Sequence, residues 1–223
     1  MRLGLPALVS LALGLSLAAG AGLTVTAGAG PVSPRAQAVA RAARPALVVV
    51  ATPHDERARQ SEVRSVGPDG VGTPLGAVQH APGAVVRGDL LGALPVVVAD
   101  EDGAADRDFG AALFAIERQG VRRLVAGVGH ARRPLASVDG LVYVERGASG
   151  APSAGPRVDH LELAAVDPAR GAVRVVYTYS GCALHLAGEL GPDLVVYRVA
   201  ATGAADVLLV ERASGRSRLV ASI

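Results

Sequence analysis

The chain has no tryptophan, no lysine, one cysteine and an aromatic content of only 3%. With so few rings, the core has to be built from Val, Leu and Ala, a palette that suits β-structure. A single cysteine, Cys182, excludes an intramolecular disulfide and any zinc site built on cysteines; its default reading is a small buried hydrophobe. All 22 basic residues are Arg, set against 20 acidic ones for a formal charge of +2. Near-balanced charge leaves no basic stripe, so no nucleic-acid partner is expected. Helices are missing too: between the apolar runs, no window of about 12 residues is free of Gly and Pro and repeats its apolar residues with a 3.6 period. That excludes a doubly wound α/β fold, the main rival for a chain with buried apolar strands.

What is present begins with a leader. Arg2 precedes an uncharged Leu/Ala/Gly run from Leu3 to Ala19, and Ala19-Gly20-Ala21 and Ala27-Gly28-Ala29 both fit a small-x-small cleavage site. Residues 1–29 read as a signal peptide, or alternatively as an uncleaved N-terminal anchor, the only membrane contact expected. No Cys follows the run, which excludes a lipoprotein. The Pro- and Ala-rich stretch at 30–44 reads as a linker. A periplasmic or secreted location follows as the expectation.

From residue 45 onward the sequence repeats. The turn glycines Gly70, Gly120, Gly171 and Gly215 stand 50, 51 and 44 residues apart, and Leu94 to Asp100, Leu141 to Arg146 and Leu194 to Ala200 read as copies of one strand. Stacked units of this length, built from blocks of strands, indicate an all-β fold: a β-propeller of about four four-stranded blades, complete or part of a larger ring. The blades are 45–80, 81–128, 129–180 and 181–223. Strands are expected at Ala46 to Thr52, Ser61 to Val66 and Val71 to Val78; then Ala84 to Gly88, Leu94 to Asp100, Ala112 to Glu117 and Val121 to Ala126. The third blade takes Pro134 to Val138, Leu141 to Arg146, His160 to Val166 and Ala172 to Tyr179. The fourth takes His185 to Glu189, Leu194 to Ala200, Val207 to Arg212 and Arg216 to Ser222. That makes fifteen, one short of four blades, with Val32 to Ala43 as a candidate for the missing one. Near-continuous apolar runs such as residues 46–51 mark strands covered on both faces, and charged ones such as Val121-Arg122-Arg123 mark edges.

The stretch Pro134-Leu135-Ala136-Ser137-Val138-Asp139-Gly140-Leu141-Val142-Tyr143 resembles the Ser-Pro-Asp-Gly turn and following strand of the TolB-like, WD40-like periplasmic β-propeller repeat proteins. Gly120 to Leu124 resembles that family's outer strand, Asp106-Arg107-Asp108 is similar to its Asp-Arg-Asp-Gly loop, and Gly191-Pro192-Asp193 to a second, degenerate turn. Val138 stands where the family has Pro, and its usual Trp is missing. The resemblance implies a propeller with a periplasmic binding role and carries over no catalytic residue.

Other chemistry is thin. Ala165 to Gly171 is similar to the repeat of PQQ-type quinoproteins, but those repeats carry Trp, so no cofactor is expected. Asp100, Glu101, Asp102, Asp106 and Asp108 place five carboxylates within nine residues. Such a loop suits either a hard cation, with Asp100, Asp102, Asp106 and Asp108 as the metal candidates, or plain solvation. His80, His130 and His185 fall near blade-to-blade crossovers, yet lie 14, 11 and 9 residues before their strands and are not equivalent positions. They read as independent surface or hydrogen-bonded histidines. Ser180-Gly181-Cys182 with His185 is not a nucleophile elbow, which needs Gly on both sides of the nucleophile between strand and helix. No catalytic constellation is found, and the chain is not expected to be an enzyme.

Long, charged loops join the second and third strands of each blade and share one face. Variable loops on a rigid scaffold are where binding concentrates. The candidates are His54, Asp55, Glu56, Arg57, Asp100, Glu101, Asp102, Asp106, Arg107, Asp108, Arg132 and Arg133. The expected function is an exported module of the cell envelope that binds a protein or small ligand; the alternative is a propeller domain of a larger exported enzyme, such as a propeller-containing peptidase.

Overall fold

The computed structural model describes residues 47–51, 55, 57–101, 109–129, 132–147 and 160–223. All lie in one unit of the chain, Arg44–Ile223. The leader, the linker, the candidate strand at Val32 to Ala43, and His54, Glu56, Asp102, Asp106, Arg107, Asp108 and His130 lie outside the described residues. No helix among the described residues is long and apolar enough to cross a membrane.

The fold is all-β, and every strand pair is antiparallel. β1 (Leu47–Ala51), β2 (Gln60–Val66) and β3 (Gly72–Gln79) form a first meander. β4 (Arg87–Leu91), β5 (Leu94–Asp100), β6 (Ala111–Glu117) and β7 (Gly120–Val128) form a second. β8 (Leu135–Ala136), β9 (Val142–Gly147), β10 (Leu161–Asp167) and β11 (Ala172–Tyr179) form a third. β12 (Ala183–Leu190), β13 (Asp193–Val199), β14 (Ala205–Glu211) and β15 (Ser217–Ser222) form a fourth. These make three sheets of three, eight and four strands, because the second and third meanders are joined by a single pair, Val128↔Arg146.

The meanders stack face to face, with an apolar cluster between each successive pair. Val63 and Val78 of the first meet Val97, Ala99, Ala112, Phe114 and Ile116 of the second. The opposite face of the second, with Val96, Val98, Ala111 and Leu113, meets Val142, Val144, Ala164 and Val166. Tyr143, Leu161, Leu163 and Ala165 then meet Leu184, Leu194, Val196, Leu208 and Val210. Consecutive residues of β5, β6, β9 and β10 thus feed two different cores, the two-residue period of a strand buried on both faces. Each buried Val or Leu side chain contributes roughly 1.5–3 kcal/mol from leaving water.

Turns register the hairpins. Asp139 Oδ1 accepts the Leu141 N–H at 3.0 Å, Gly140 N–H donates to Ser137 O at 3.1 Å, and Gly140 takes φ 83°. A side chain at that φ is strained, which is why glycine stands there. The turn at Gly67-Pro68-Asp69-Gly70-Val71 has the same bonds, yet it joins β2 to β3 whereas the other joins β8 to β9. The Asp-Gly signature therefore marks a turn type, not one place in the repeat.

Several expectations are corrected. Leu94 to Asp100, Leu141 to Arg146 and Leu194 to Ala200 each supply the second strand of their meander, but the third is one residue out of phase: Leu94 and Leu141 face the following meander and Leu194 the preceding one. A one-residue shift moves a side chain to the other face. The run at 46–51 is not covered on both faces: Leu47 and Val49 of β1 are exposed while Val48 and Val50 pack inward. β4 starts at Arg87 rather than Ala84, because Ala84 N–H closes a turn on Ala81 O around Pro82-Gly83. Cys182 is exposed rather than buried; it lies just before β12, and its N–H bonds Val199 O.

Candidate functional site

Six of the candidate residues can be placed. Asp55 Oδ1 accepts the Arg57 N–H at 2.9 Å and its carbonyl accepts from Ala58, so it shapes a tight turn leading into β2. Asp100 is not in the loop: it closes β5 and is buried, with its carbonyl accepting the Ala81 N–H. Glu101 reaches Arg123 of β7 at 2.6 Å. Arg132 lies 3.1 Å from Glu145, and Arg133 lies 3.2 Å from Asp89. The structure does not gather these six at one point; they spread along successive meanders. Among the described residues no three His, Cys, Asp or Glu side chains converge as a cation would require.

Two features were not anticipated. The first is a serine–histidine pair that closes the same end of two hairpins. In the first meander, buried His80, just after β3, meets Ser61 of β2 at 2.8 Å through Nε2. In the third, His160 before β10 meets Ser180 after β11 at 2.9 Å, with the two residue types exchanged between strands. His80 Nδ1 donates to Ala81 O at 2.8 Å, so in the neutral ring Nε2 accepts from the Ser61 hydroxyl. That is the hydrogen bonding of a nucleophile and its base, but Ser61 has no exposed surface. The pair holds β2 to the end of β3. His185 is held separately, stacked on Tyr197 at 6.1 Å.

The second feature is a groove of about 350 Å³ between the outer strand of the first meander and the second meander. Ala77, Val78, Phe114 and Val121 make its apolar floor, and Arg59, Gln79, His80 and Glu101 its polar wall. Gly76 sets its depth: a Cβ there would stand 2.7 Å from Ile116 Cγ2, so only glycine lets β3 approach β6 this closely. Glu101 and His80 were singled out in the sequence, the first as a binding-face residue and the second as an independent histidine, and the other lining residues were not. The available signal was Arg59 and Gln79 flanking one hairpin, which gains meaning only once Phe114 and Val121 are opposite it.

Between the third and fourth meanders the polar contacts are denser. Glu145 Oε1 accepts the Leu186 N–H at 2.6 Å while its other oxygen faces Arg132. Arg212 donates to Glu189 at 3.0 Å, to Ser137, and to the carbonyls of Gly191 and Pro192. With only 13% of its side chain exposed and four of its five N–H donors engaged, Arg212 is a structural tie.

No protein-family description matches the chain. No curated protein matches it in sequence either. Solved structures do. A mutant puromycin hydrolase complexed with PGG is similar over 77% of this chain and 26% of its own, with 16% identity and a TM-score of 0.50. TolB from Acinetobacter baumannii is similar over 78% of this chain and 51% of its own, at 12% identity and a TM-score of 0.43. One of two prolyl endopeptidases is similar over 79% and 28%, at 15% identity and 0.45. At such identities the likeness is one of β-rich fold alone, and the chain spans between about a quarter and a half of these proteins.

Proposed function

We propose that this chain is an exported β-propeller, or several blades of one, that serves the cell envelope as a binding module. The observation that carries the reading is the stacking: successive meanders separated by apolar cores form a rigid array whose charged loops and rim grooves are left for recognition. The leader-like first 29 residues support export. The partner is an envelope protein or a small ligand, met through the long loops and the groove beside β3. His54, Glu56, Asp102, Asp106, Arg107 and Asp108 join Asp55, Arg57, Glu101, Arg132 and Arg133 as the loop residues proposed to take part.

A second reading, a non-catalytic domain of a larger exported hydrolase, is favoured by one observation: the match to puromycin hydrolase covers 26% of that protein. Both readings are tested by fractionating cells that express the full chain and recovering its partners from the envelope. The module reading expects the chain outside the cytoplasm, with one partner that is lost when Arg57 and Arg59 are both changed to Glu. Cytoplasmic retention, or recovery unaffected by that change, contradicts it.

A further inference from the structure

The groove beside β3 has three properties that together name an occupant. The first is a free strand edge. β3 is the outer strand of a three-stranded sheet, so alternate N–H and C=O groups along it point away from β2. Pro74 lies at the bulge opposite Val63 and Arg64, and it has no N–H to give; the usable edge is therefore residues 75–79. At about 3.3 Å per residue this is a docking length of roughly 17 Å, five or six residues of extended chain.

The second property is the floor. Phe114 and Val121 lie on the face of the second meander that looks toward β3, and Val121 is 42% exposed despite lying beside an apolar core. A strand laid along β3 points every second side chain at them. The third property is charge. Among the described residues, Arg59, on the groove wall, meets no acid, and neither does Arg57 two residues earlier. Glu101, the one acid among the described residues of the wall, is already neutralised by Arg123 at 2.6 Å. The groove thus offers backbone hydrogen bonds, an apolar strip and, among the described residues, positive charge without an acidic partner.

We propose that this groove binds an extended acidic peptide segment, added as a further strand on the edge of β3, with alternate apolar side chains on Phe114 and Val121 and a carboxylate on Arg59. Backbone pairing supplies affinity and the alternate side chains supply selection, the usual division in strand addition. The inference rests on the binding-module reading and gives it a ligand class.

The test uses the full chain and three fluorescein-labelled octapeptides in which Val alternates with Glu, Lys or Thr. A fourth copies the Val/Glu peptide with alternate amides N-methylated, which removes edge hydrogen bonding. The Val/Glu peptide is expected to bind about tenfold or more tightly than the Val/Lys one, the size of one charge-assisted hydrogen bond. The N-methylated copy loses binding, and amides 75–79 exchange more slowly in the complex. Arg59→Glu reverses the preference and Val121→Asp weakens all binding, while Arg170→Glu, a change at the exposed β10–β11 turn of the third meander, alters neither. Equal binding of acidic and basic peptides, or full binding of the N-methylated copy, overturns the proposal. So does failure of every peptide while the envelope partner is still captured, and that outcome leaves the module reading standing; loss of both removes the two together.

Discussion

The hydroxyl of Tyr143, a fully buried residue of β9, donates to Asp139 Oδ2 at 2.6 Å, across the turn that starts that strand. One residue of the core is thereby bonded to the carboxylate that shapes the turn through Leu141. Burial first, and then this bond, push the Tyr143 hydroxyl well above the ordinary tyrosine range. The folded state therefore holds the proton more tightly than the unfolded chain. The stabilisation is fully present below the unfolded pKa of about 10 and fades as pH rises beyond it. Tyr143 is expected to ionise only on unfolding, as read by tyrosinate absorbance. Tyr143→Phe is expected to cost about 1–2 kcal/mol in urea unfolding and to abolish that late step.

Much of the fold was legible because strand alternation and turn chemistry are local. Leu94 to Asp100 and Ala172 to Tyr179 were bounded as the structure has them, and the outer strands β7 and β15 were recognised by their charge. Which face a strand buries was harder to read. Leu194 looks like Leu141 in sequence, yet it lies one residue out of phase and faces the other side of its sheet. The open face of β1 was illegible for a related reason, since an apolar run does not reveal what is beside it. The site was less legible still. Ser61 and His80 are 19 residues apart, and the groove joins Arg59 to Val121 across two meanders. The first pairing is set by the register of the β2–β3 hairpin and the second by stacking, which no local pattern encodes.

Glu145 ties β9 to β12 by accepting the Leu186 N–H and facing Arg132. Glu145→Ala strands that N–H and is expected to cost about 1–3 kcal/mol. Glu145→Gln keeps an acceptor for Leu186 and should lose less. The faster amide exchange should be confined to β12, and a uniform change across all four meanders would count against a local tie.

The Ser61–His80 bond is the equivalent fastening of the first meander. Ser61→Ala leaves His80 with one partner in a buried site and is expected to lower stability by about 1–2 kcal/mol. His160 and Ser180 are exposed, so Ser180→Ala should cost less than half as much by the same denaturation.

The last strand is fastened by Asp206. The Ser222 hydroxyl at 2.7 Å, and then Arg198, hold its carboxyl below the ordinary carboxylate range. A lowered folded pKa means the contribution is present above the unfolded value of about 3.9 and is lost as pH falls through the folded one. Amides of β15 should therefore exchange faster in acid, before the core opens, and Asp206→Asn should show that fraying already at neutral pH.

The most direct measurement of the account as a whole is photo-cross-linking in cells expressing the full chain, with benzoylphenylalanine placed at Val121 or, for comparison, at exposed Val220 of β15. Recognition in the groove beside β3 predicts one discrete envelope adduct from position 121, absent from position 220 and lost when Arg59 is changed to Glu. An adduct from position 220 alone, or the same adducts from both positions, would contradict it.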